Sequence, residues 1–278
     1  RSMRTNKTRI IAVFDPLAGD GGVVQSAKQE FIAKIREADY IDAGKYVDLE
    51  QPGSYTLSFP VDGALLFDIV DGVCLNFVEE NRIPYVTVNG YCRGHGTSVM
   101  PDEAANMRKL TDYLYSLGHR RIAYFGVSNA MLFSAERKRG YQMSLLKHGI
   151  TPREGDCVEI DTLNDSYEPA LKALLTAPDR PTAVLVSDDI LAVVLEQFCN
   201  KRGLRIPKDL SIVSFNNSLF SRITSPQLTT VDVNPYQLGM EAASQTINHI
   251  ENPNLLATKI IVPHQLIQRE SCCPPPEV

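Results

Sequence analysis

Short apolar segments alternate with longer amphipathic segments along almost all of this chain. The apolar segments are rich in the β-branched residues of strands, and the amphipathic ones follow the 3.6-residue period of helices. Residues 183–233 show the alternation most clearly. There, one strand-like segment ends in two aspartates, a helix-like segment ends at Gly203, and a second strand-like segment ends in two asparagines. This alternation predicts an α/β fold built on parallel sheets.

The other segments extend the pattern over the whole chain. The predicted strands are 9–14, 46–49, 64–67, 85–88, 121–126, 158–160, 183–186, 211–215, 228–233 and 259–268. The predicted helices are 23–37, 72–81, 102–117, 135–147, 167–175, 190–201 and 236–250, the last with Asn234 as N-cap and Pro235 at its first position. Similar sets of strand–helix units precede and follow residue 118, which predicts two Rossmann-like lobes. No linker-like stretch separates them at one point, so several chain crossovers are expected.

Composition restricts the class of protein. The chain has 278 residues, is 44% hydrophobic and carries a net charge of −5, which suits a globular protein without a basic surface for nucleic acid. No apolar run reaches the roughly 18 residues of a membrane span, and no signal peptide is evident. The six cysteines form no CxxC pair, which favours a reduced, cytoplasmic protein without a zinc site.

Polar side chains follow several predicted strands directly. In open α/β sheets, ligands bind at the carboxyl ends of the strands. Carboxylates, amides and a guanidinium group can together bridge the vicinal hydroxyls of a sugar, and an aromatic ring can cover its apolar face. The candidate ligand-binding residues are Asp15, Phe67, Asp68, Arg137, Asp188 and Asn216.

Each candidate also has an ordinary structural interpretation. Asp188 or Asp189 suits the N-cap of the helix that follows, and Asn216 with its neighbour suits a turn. Arg137 suits a solvated helix face, and Phe67 suits the core. The binding hypothesis rests on all of them lying at one edge.

Signatures of enzymes are absent from the sequence. It contains no GxSxG, P-loop or HExxH motif, and the Gly-rich stretch at residues 19–22 is not GxGxxG. The five histidines are dispersed, and His119 at a helix end suits a structural role. We therefore predict no catalytic centre, no metal site and no cofactor.

A series of short motifs runs through the chain in a fixed order. They are VDGALL at 61–66, IPYV at 83–86, YLYSLGHRRIA at 113–123, ERKRGY at 136–141, SDD at 187–189, GLRIPKDLSIVSFNN at 203–217, PQLTTV at 226–231 and QRES at 268–271. In this order they resemble motifs of the lactose-repressor/galactose-repressor (LacI/GalR) family of transcription factors. A finer resemblance, through SFNNSLFSRITSPQLTTVDVNPYQLG, is to maltose-type repressors.

The resemblance implies a two-lobed, periplasmic-binding-protein-like domain that binds a carbohydrate effector, for instance a maltose-like one, and forms a homodimer. Arg137 matches the family's inducer-contacting arginine. Asp188 matches the residue before the family aspartate, and Asp189 matches that usually helix-capping aspartate itself. Asn216 stands where the family has a ligand-contacting aspartate, so the contacts to sugar hydroxyls would differ here.

The resemblance also implies the domain organisation. Residues 1–7 look like the linker after the family's hinge helix, so operator DNA would be bound by an N-terminal helix-turn-helix absent from this sequence. The domain predictions are an N-terminal lobe of 8–100 and 233–257, a C-terminal lobe of 101–230 and 258–271, and a disordered tail of 272–278.

Two segments depart from the family pattern. They are 15–25, which reads DPLAGDGGVVQ, and the shortened region 38–60, so one wall of the pocket would differ from that of the relatives. An alternative function with the same fold is a secreted sugar-binding protein of a transporter. The missing leader, the cysteines and the linker-like start argue against it.

Overall fold

The computed structural model describes residues 7–16, 23–47, 57, 59–68, 72–90, 96–128, 132–161 and 166–276. The chain divides into two compact units and passes between them at three points. The first unit comprises Arg1–Pro101 and Asn234–Val262, and the second comprises Asp102–Val233 and Pro263–Val278.

The first unit is a six-stranded sheet with helices. Its elements are β1 (Ile10–Pro16), α1 (Val23–Glu37), β2 (Ile41–Val47), β3 (Gly63–Phe67), α2 (Val73–Glu80), β4 (Tyr85–Val88), β5 (Thr97–Pro101), α8 (Pro235–Glu251) and β11 (Lys259–Val262). The strand order is β11-β5-β4-β3-β1-β2, and every pairing is parallel. Every residue of β3, β4 and β5 is buried, as expected for a parallel sheet covered on both faces.

The second unit repeats this plan. Its elements are α3 (Glu103–Ser116), β6 (Ile122–Val127), α4 (Leu132–Lys147), β7 (Cys157–Ile160), α5 (Glu168–Thr176), β8 (Ala183–Val186), α6 (Asp189–Lys201), β9 (Ser211–Asn216), α7 (Leu219–Ile223), β10 (Thr229–Asp232) and β12 (Gln265–Ile267), with a 3₁₀ turn at Glu154–Asp156. The strand order is β12-β10-β9-β8-β6-β7. Only β12 runs antiparallel to its neighbour among the described pairs of this sheet. The predicted α/β class with two mainly parallel, Rossmann-like sheets is confirmed.

Helix pairs close over the sheets where a glycine permits it. A Cβ atom added at Gly140 would lie 2.3 Å from the carbonyl oxygen of Ala104, so α3 and α4 approach backbone to backbone. A Cβ atom at Gly239 would lie 2.1 Å from the carbonyl oxygen of Ala27, which joins α8 to α1 in the same way. These close contacts set the position of α4 against α3 and of α8 against α1.

The closing segment agrees with the sequence prediction in part. Residues 259–268 are predicted to be one strand, at an edge or bent because Pro263 lies within it. They form two strands, β11 and β12, each at the edge of its sheet, because Pro263 has no N–H to continue a ladder. β11 pairs with β5 in the first sheet, and β12 pairs with β10 in the second. Residues 258–262 therefore belong to the first unit, not to the predicted C-terminal lobe.

The predicted disorder of the tail is wrong for residues 272–276. The carbonyl oxygen of Cys273 accepts hydrogen bonds from His119 Nε2 at 3.0 Å and from Ser211 Oγ at 3.0 Å. The thiol of Cys272 donates to the carbonyl oxygen of Ile212. Buried partners, two on β9 and one in the segment before β6, therefore hold this end of the chain in place.

Smaller elements were missed or shifted in the sequence prediction. β5 and α7 were not predicted, and β2 begins at Ile41 rather than residue 46. β2 is the outermost strand of its sheet, and Ile41 is exposed there, so its sequence lacks the continuous apolar run of a central strand. Within the two segments that depart from the family pattern, residues 17–22 and 48–56 lie outside the described residues.

Candidate functional site

Strand order gives each unit a switch point, and the predicted binding residues can be located relative to it. In the second sheet, β7 lies on one side of β6 and the next strand in the chain, β8, lies on its other side. The sheet edge between β6 and β8 is therefore the switch point, where doubly wound sheets bind ligands. Ser187 and Asp188 follow β8 there, and Asn216 ends the adjacent strand β9. The equivalent point of the first sheet lies between β1 and β3, with Asp15 and Asp68 at the ends of those strands.

Arg137 reaches the edge of the second sheet from α4. Its Nη1 donates to the carbonyl oxygen of Ser187 at 2.7 Å. Its Nε and Nη2 donate to the two carboxylate oxygens of Glu103, at 2.7 and 3.3 Å. The guanidinium carbon lies 4.0 Å from the ring centre of Phe215 and 4.9 Å from that of Phe133. The side chain is therefore fixed in position by acceptors and rings, and it is not the solvated helix residue of the alternative interpretation.

Arg137 is a buried cation whose charge is compensated. It is 8% exposed and Glu103 is 6% exposed. Burial on its own lowers the pKa of Arg137, but the carboxylate of Glu103 and that of Asp188 outweigh it and leave the pKa raised. The guanidinium accordingly stays charged.

Asp188 joins the end of β8 to the end of β9. One carboxylate oxygen accepts from the backbone N–H of Ile190 at 2.7 Å, so Asp188 is the N-cap of α6. The other accepts from the side-chain amide of Asn216 at 2.6 Å. The amide in place of the family's carboxylate thus allows a direct hydrogen bond where two carboxylates would repel each other.

Asp189 has a different task from the capping role that the family suggests. Its carboxylate accepts from the hydroxyls of Ser214 and Thr230 and from both the backbone N–H and the hydroxyl of Ser218. It is 1% exposed, and burial raises its pKa while these hydrogen bonds act in the opposite direction. Asp189 therefore ties α6 to the loop after β9.

The asparagine pair forms a turn and also contributes to the edge. Asn216 and Asn217 both have positive φ angles, of 110° and 54°. Asn217 accepts from Arg269 Nη2 at 2.6 Å and donates to Asp232 at 3.1 Å, so it fixes the loop. Asn216 instead directs its side-chain amide to Asp188 at the edge of the sheet.

The candidates of the first unit form a smaller group. Asp15 is 3% exposed and pairs with Lys28, whose Nζ lies 2.9 Å from the carboxylate. Asp68 has a φ of 51° and donates its backbone N–H to the carbonyl oxygen of Val88. Phe67 is fully buried, which matches the core interpretation that the sequence left open beside ligand contact.

The structure thus brings Arg137, Asp188 and Asn216 together within one unit, and it places Asp15 and Asp68 at the corresponding edge of the other. Sequence reasoning missed Glu103 and Phe133, which hold Arg137. A signal for Glu103 existed, because it is an acidic residue in the first turn of a helix, directly after the N-cap Asp102.

A cavity of about 430 Å³ in the first unit is not lined by Asp15 or Asp68. It is formed by the end of α2, the start of β4 and the loop after α8, and its lining includes Glu79, Arg82, Tyr85, His249 and Leu256. Since β4 begins at Tyr85, the cavity is at the amino edge of the sheet, opposite the predicted binding edge.

Comparison with known proteins identifies the fold family. The model of the periplasmic binding protein-like domain matches residues 111–272, more than half of the chain. The chain belongs to the periplasmic-binding-protein-like domain family. Within this family it is the effector-binding domain of a LacI-family transcriptional regulator, as its relatives show.

Three of those relatives illustrate the match. The HTH-type transcriptional repressor ExuR of Bacillus subtilis (strain 168) is 26% identical over 90% of this chain and 73% of that protein. A transcriptional regulator LacI of Bacillus cereus subsp. cytotoxis NVH 391-98 has a structure with a TM-score of 0.80 and 28% identity, over 96% of this chain and 99% of that one. The CelR–cellobiose complex, at 24% identity, TM-score 0.85 and coverage of 95% and 85%, supports the fold.

These relatives are transcriptional regulators and not enzymes, in line with the sequence prediction, and they do not favour the transporter alternative. Among the helices of the described residues, none has both the length and the apolar character needed to cross a membrane. The finer resemblance to maltose-type repressors stays a prediction.

Proposed function

We propose that this periplasmic-binding-protein-like domain senses a carbohydrate at the carboxyl edges of its two sheets. The observation that carries the proposal is the arrangement of Arg137, Asp188 and Asn216, which are far apart in sequence and joined at one switch point. The arrangement offers N–H donors and carboxylate and amide acceptors within a short range, which suits adjacent hydroxyls. The relative CelR, solved with cellobiose, supports a sugar as the ligand class.

Asp15 and Asp68 are the proposed ligand contacts of the first unit. Lys28 and Gln25 both contact Oδ2 of Asp15, so the carboxyl group retains acceptor capacity on its other oxygen. Phe67 then serves as the packed support beneath them rather than as a wall of the site.

Regulation would follow from differential affinity. A sugar that binds one conformation of the domain more tightly than another shifts the population toward it. We infer that a homodimer transmits this shift to an operator-binding helix-turn-helix segment that the 278 residues do not include, and that the protein works in the cytoplasm. About micromolar affinity corresponds to roughly −8 kcal/mol, so a small differential share is sufficient.

Thermal shift followed by calorimetry tests the proposal. The panel is maltose, cellobiose, glucose, galactose and ribose. We expect one sugar to raise the melting temperature of the parent and to bind the Arg137→Lys and Asp188→Ala variants at least about tenfold more weakly. Lysine keeps the buried charge but loses the two-pronged contact with Glu103.

The matched control is Arg139→Ala, because Arg139 lies on the same helix, is exposed and pairs with Glu136 on the helix surface. It should bind like the parent. Binding of every sugar by the Arg137→Lys and Asp188→Ala variants at parental affinity would refute the site, and the absence of any sugar binding would refute the ligand class.

A further inference from the structure

A buried acid holds the cation that stands at the predicted edge of the second unit. Both carboxylate oxygens of Glu103 accept hydrogen bonds from the Arg137 guanidinium, through its Nε and Nη2. Both side chains are more than nine-tenths buried. The two residues are 34 positions apart and come from different helices, α3 and α4. Nothing in the family motifs above assigns a role to this carboxylate.

We propose that Glu103 is the positioning residue that sets effector specificity, so that the site accepts neutral sugars and rejects sugar acids. The inference rests on the proposed function, since it concerns the ligand class of the same site. Glu103 acts through Arg137 in two ways: it fixes where the guanidinium points, and it cancels the charge that would otherwise attract an anion.

The local charges support the exclusion of anions. Arg137 contributes one positive charge, whereas Glu103 and Asp188 contribute one negative charge each. A ligand carboxylate placed against Arg137 would therefore meet a net negative surrounding, with both acids close enough to influence the guanidinium. A neutral hydroxyl avoids that repulsion.

Arg137 nevertheless keeps donors for a hydroxyl. A guanidinium has five N–H groups, and the contacts with Glu103 and Ser187 use one on each nitrogen. The N–H groups left on Nη1 and Nη2 are held in a fixed direction, because Phe215 and Phe133 stack on the group. Such prepositioned donors favour a hydroxyl at one place over others.

The backbone around Glu103 is equally fixed. Asp102 caps α3 by accepting from the N–H of Ala105 at 2.9 Å, and Glu103 lies in the first turn, where the helix dipole favours a negative charge. The neighbouring Ala104 lies directly against Gly140, one turn along α4 from Arg137. Close packing of α3 on α4 therefore fixes the backbone positions from which the Glu103 and Arg137 side chains extend.

Matched ligand pairs provide the test. Calorimetry would compare glucose with glucuronate, galactose with galacturonate, maltose with maltobionate, and cellobiose with cellobionate. The chain variants are Glu103→Gln, which keeps the size and one acceptor but removes the charge, and Glu103→Asp, which keeps the charge but shortens the reach. Glu37→Gln is the charge-matched control, since Glu37 is an exposed helix residue of the other unit paired with Lys34.

We expect the parent to prefer the neutral member of whichever pair binds. Glu103→Gln should shift the ratio of affinities toward the acid by about tenfold or more, the size of effect that one nearby charge produces at partly buried sites. Glu103→Asp should weaken the neutral sugar without that shift, and Glu37→Gln should change neither.

The outcomes separate the two ideas. If a neutral sugar binds the parent but Glu103→Gln leaves the ratio unchanged, or if the parent already prefers the acid, the role of Glu103 is refuted and carbohydrate sensing stands. If neither member of any pair binds the parent, the proposed function fails and this inference fails with it.

Discussion

Glu196 provides a pH-dependent test of the second unit's core. It lies on α6, is 5% exposed, and its Oε1 has no hydrogen-bond partner among the described residues. Burial raises the pKa of this carboxyl from 4.5 to about 7. The folded protein therefore holds Glu196 as a neutral acid in mildly acidic solution and as a poorly solvated anion above neutrality.

The sign of the effect follows from linkage. The folded-state pKa is above the unfolded value, so the stabilising contribution is complete below about 4.5 and is lost as the pH rises through about 7. This displacement of the pKa corresponds to about 3 kcal/mol in the free energy of unfolding if no water reaches the carboxyl group. Screening by nearby solvent reduces it, and we expect about 1–2 kcal/mol.

Glu196→Gln removes the titration at nearly constant volume. From pH 5 to pH 8.5, we expect the free energy of unfolding of the variant to rise by about 1–2 kcal/mol relative to that of the parent. This corresponds to roughly 3–6 °C in melting temperature for a unit of this size. Scanning calorimetry at both pH values, without sugar, gives the measurement. A difference in melting temperature that is the same at both pH values reflects only the replacement of the buried carboxyl by an amide. The change of that difference with pH is therefore the test.

Glu37→Gln is again the control, because an exposed surface pair contributes little at any pH. A melting difference between Glu196→Gln and the parent that does not change from pH 5 to pH 8.5 would contradict the reasoning. So would a larger deficit of the variant at the higher pH.

Two further predictions concern packing. Gly140→Ala should destabilise the second unit by at least about 2 kcal/mol, because its new methyl group would press on the backbone of Ala104. Gly155→Ala is the control, since a Cβ atom there meets nothing within 4 Å. Equal melting temperatures of the two variants would refute the packing argument. Deletion of residues 272–278 should cost about 2 kcal/mol, because the buried His119 loses its acceptor on the tail; urea unfolding checks this, and an unchanged midpoint would show that the tail contributes nothing.

Much of the fold was readable from the chain because it depends on local patterns. The alternation of apolar runs and amphipathic segments predicted both sheets, and the Asn–Pro pair at residues 234–235 predicted the start of α8. Asn234 does cap that helix, accepting from the N–H of Gln237 at 3.1 Å. The likeness to LacI-family motifs led to the same architecture and is confirmed by the relatives.

The proximity of some predicted site residues also follows from the chain order. Residues that directly follow strands must lie at the carboxyl edge of a parallel sheet, so the chain order of strands and polar residues was enough to expect Asp188 and Asn216 near each other. Their meeting at 2.6 Å, and the reach of Arg137 to Ser187, agree with that expectation. Whether a sugar contacts them stays a prediction.

Tertiary structure alone decided which groups pair. Glu103 and Arg137 each sit in ordinary helical sequence, and only the close packing of α3 on α4 turns them into a buried ion pair. The same holds for the strand 259–262, which could have joined either sheet, and for the tail at 272–276. Strand position and capping are set by a few neighbouring residues, whereas partner choice depends on which distant surfaces are buried together, and that is a property of the whole fold.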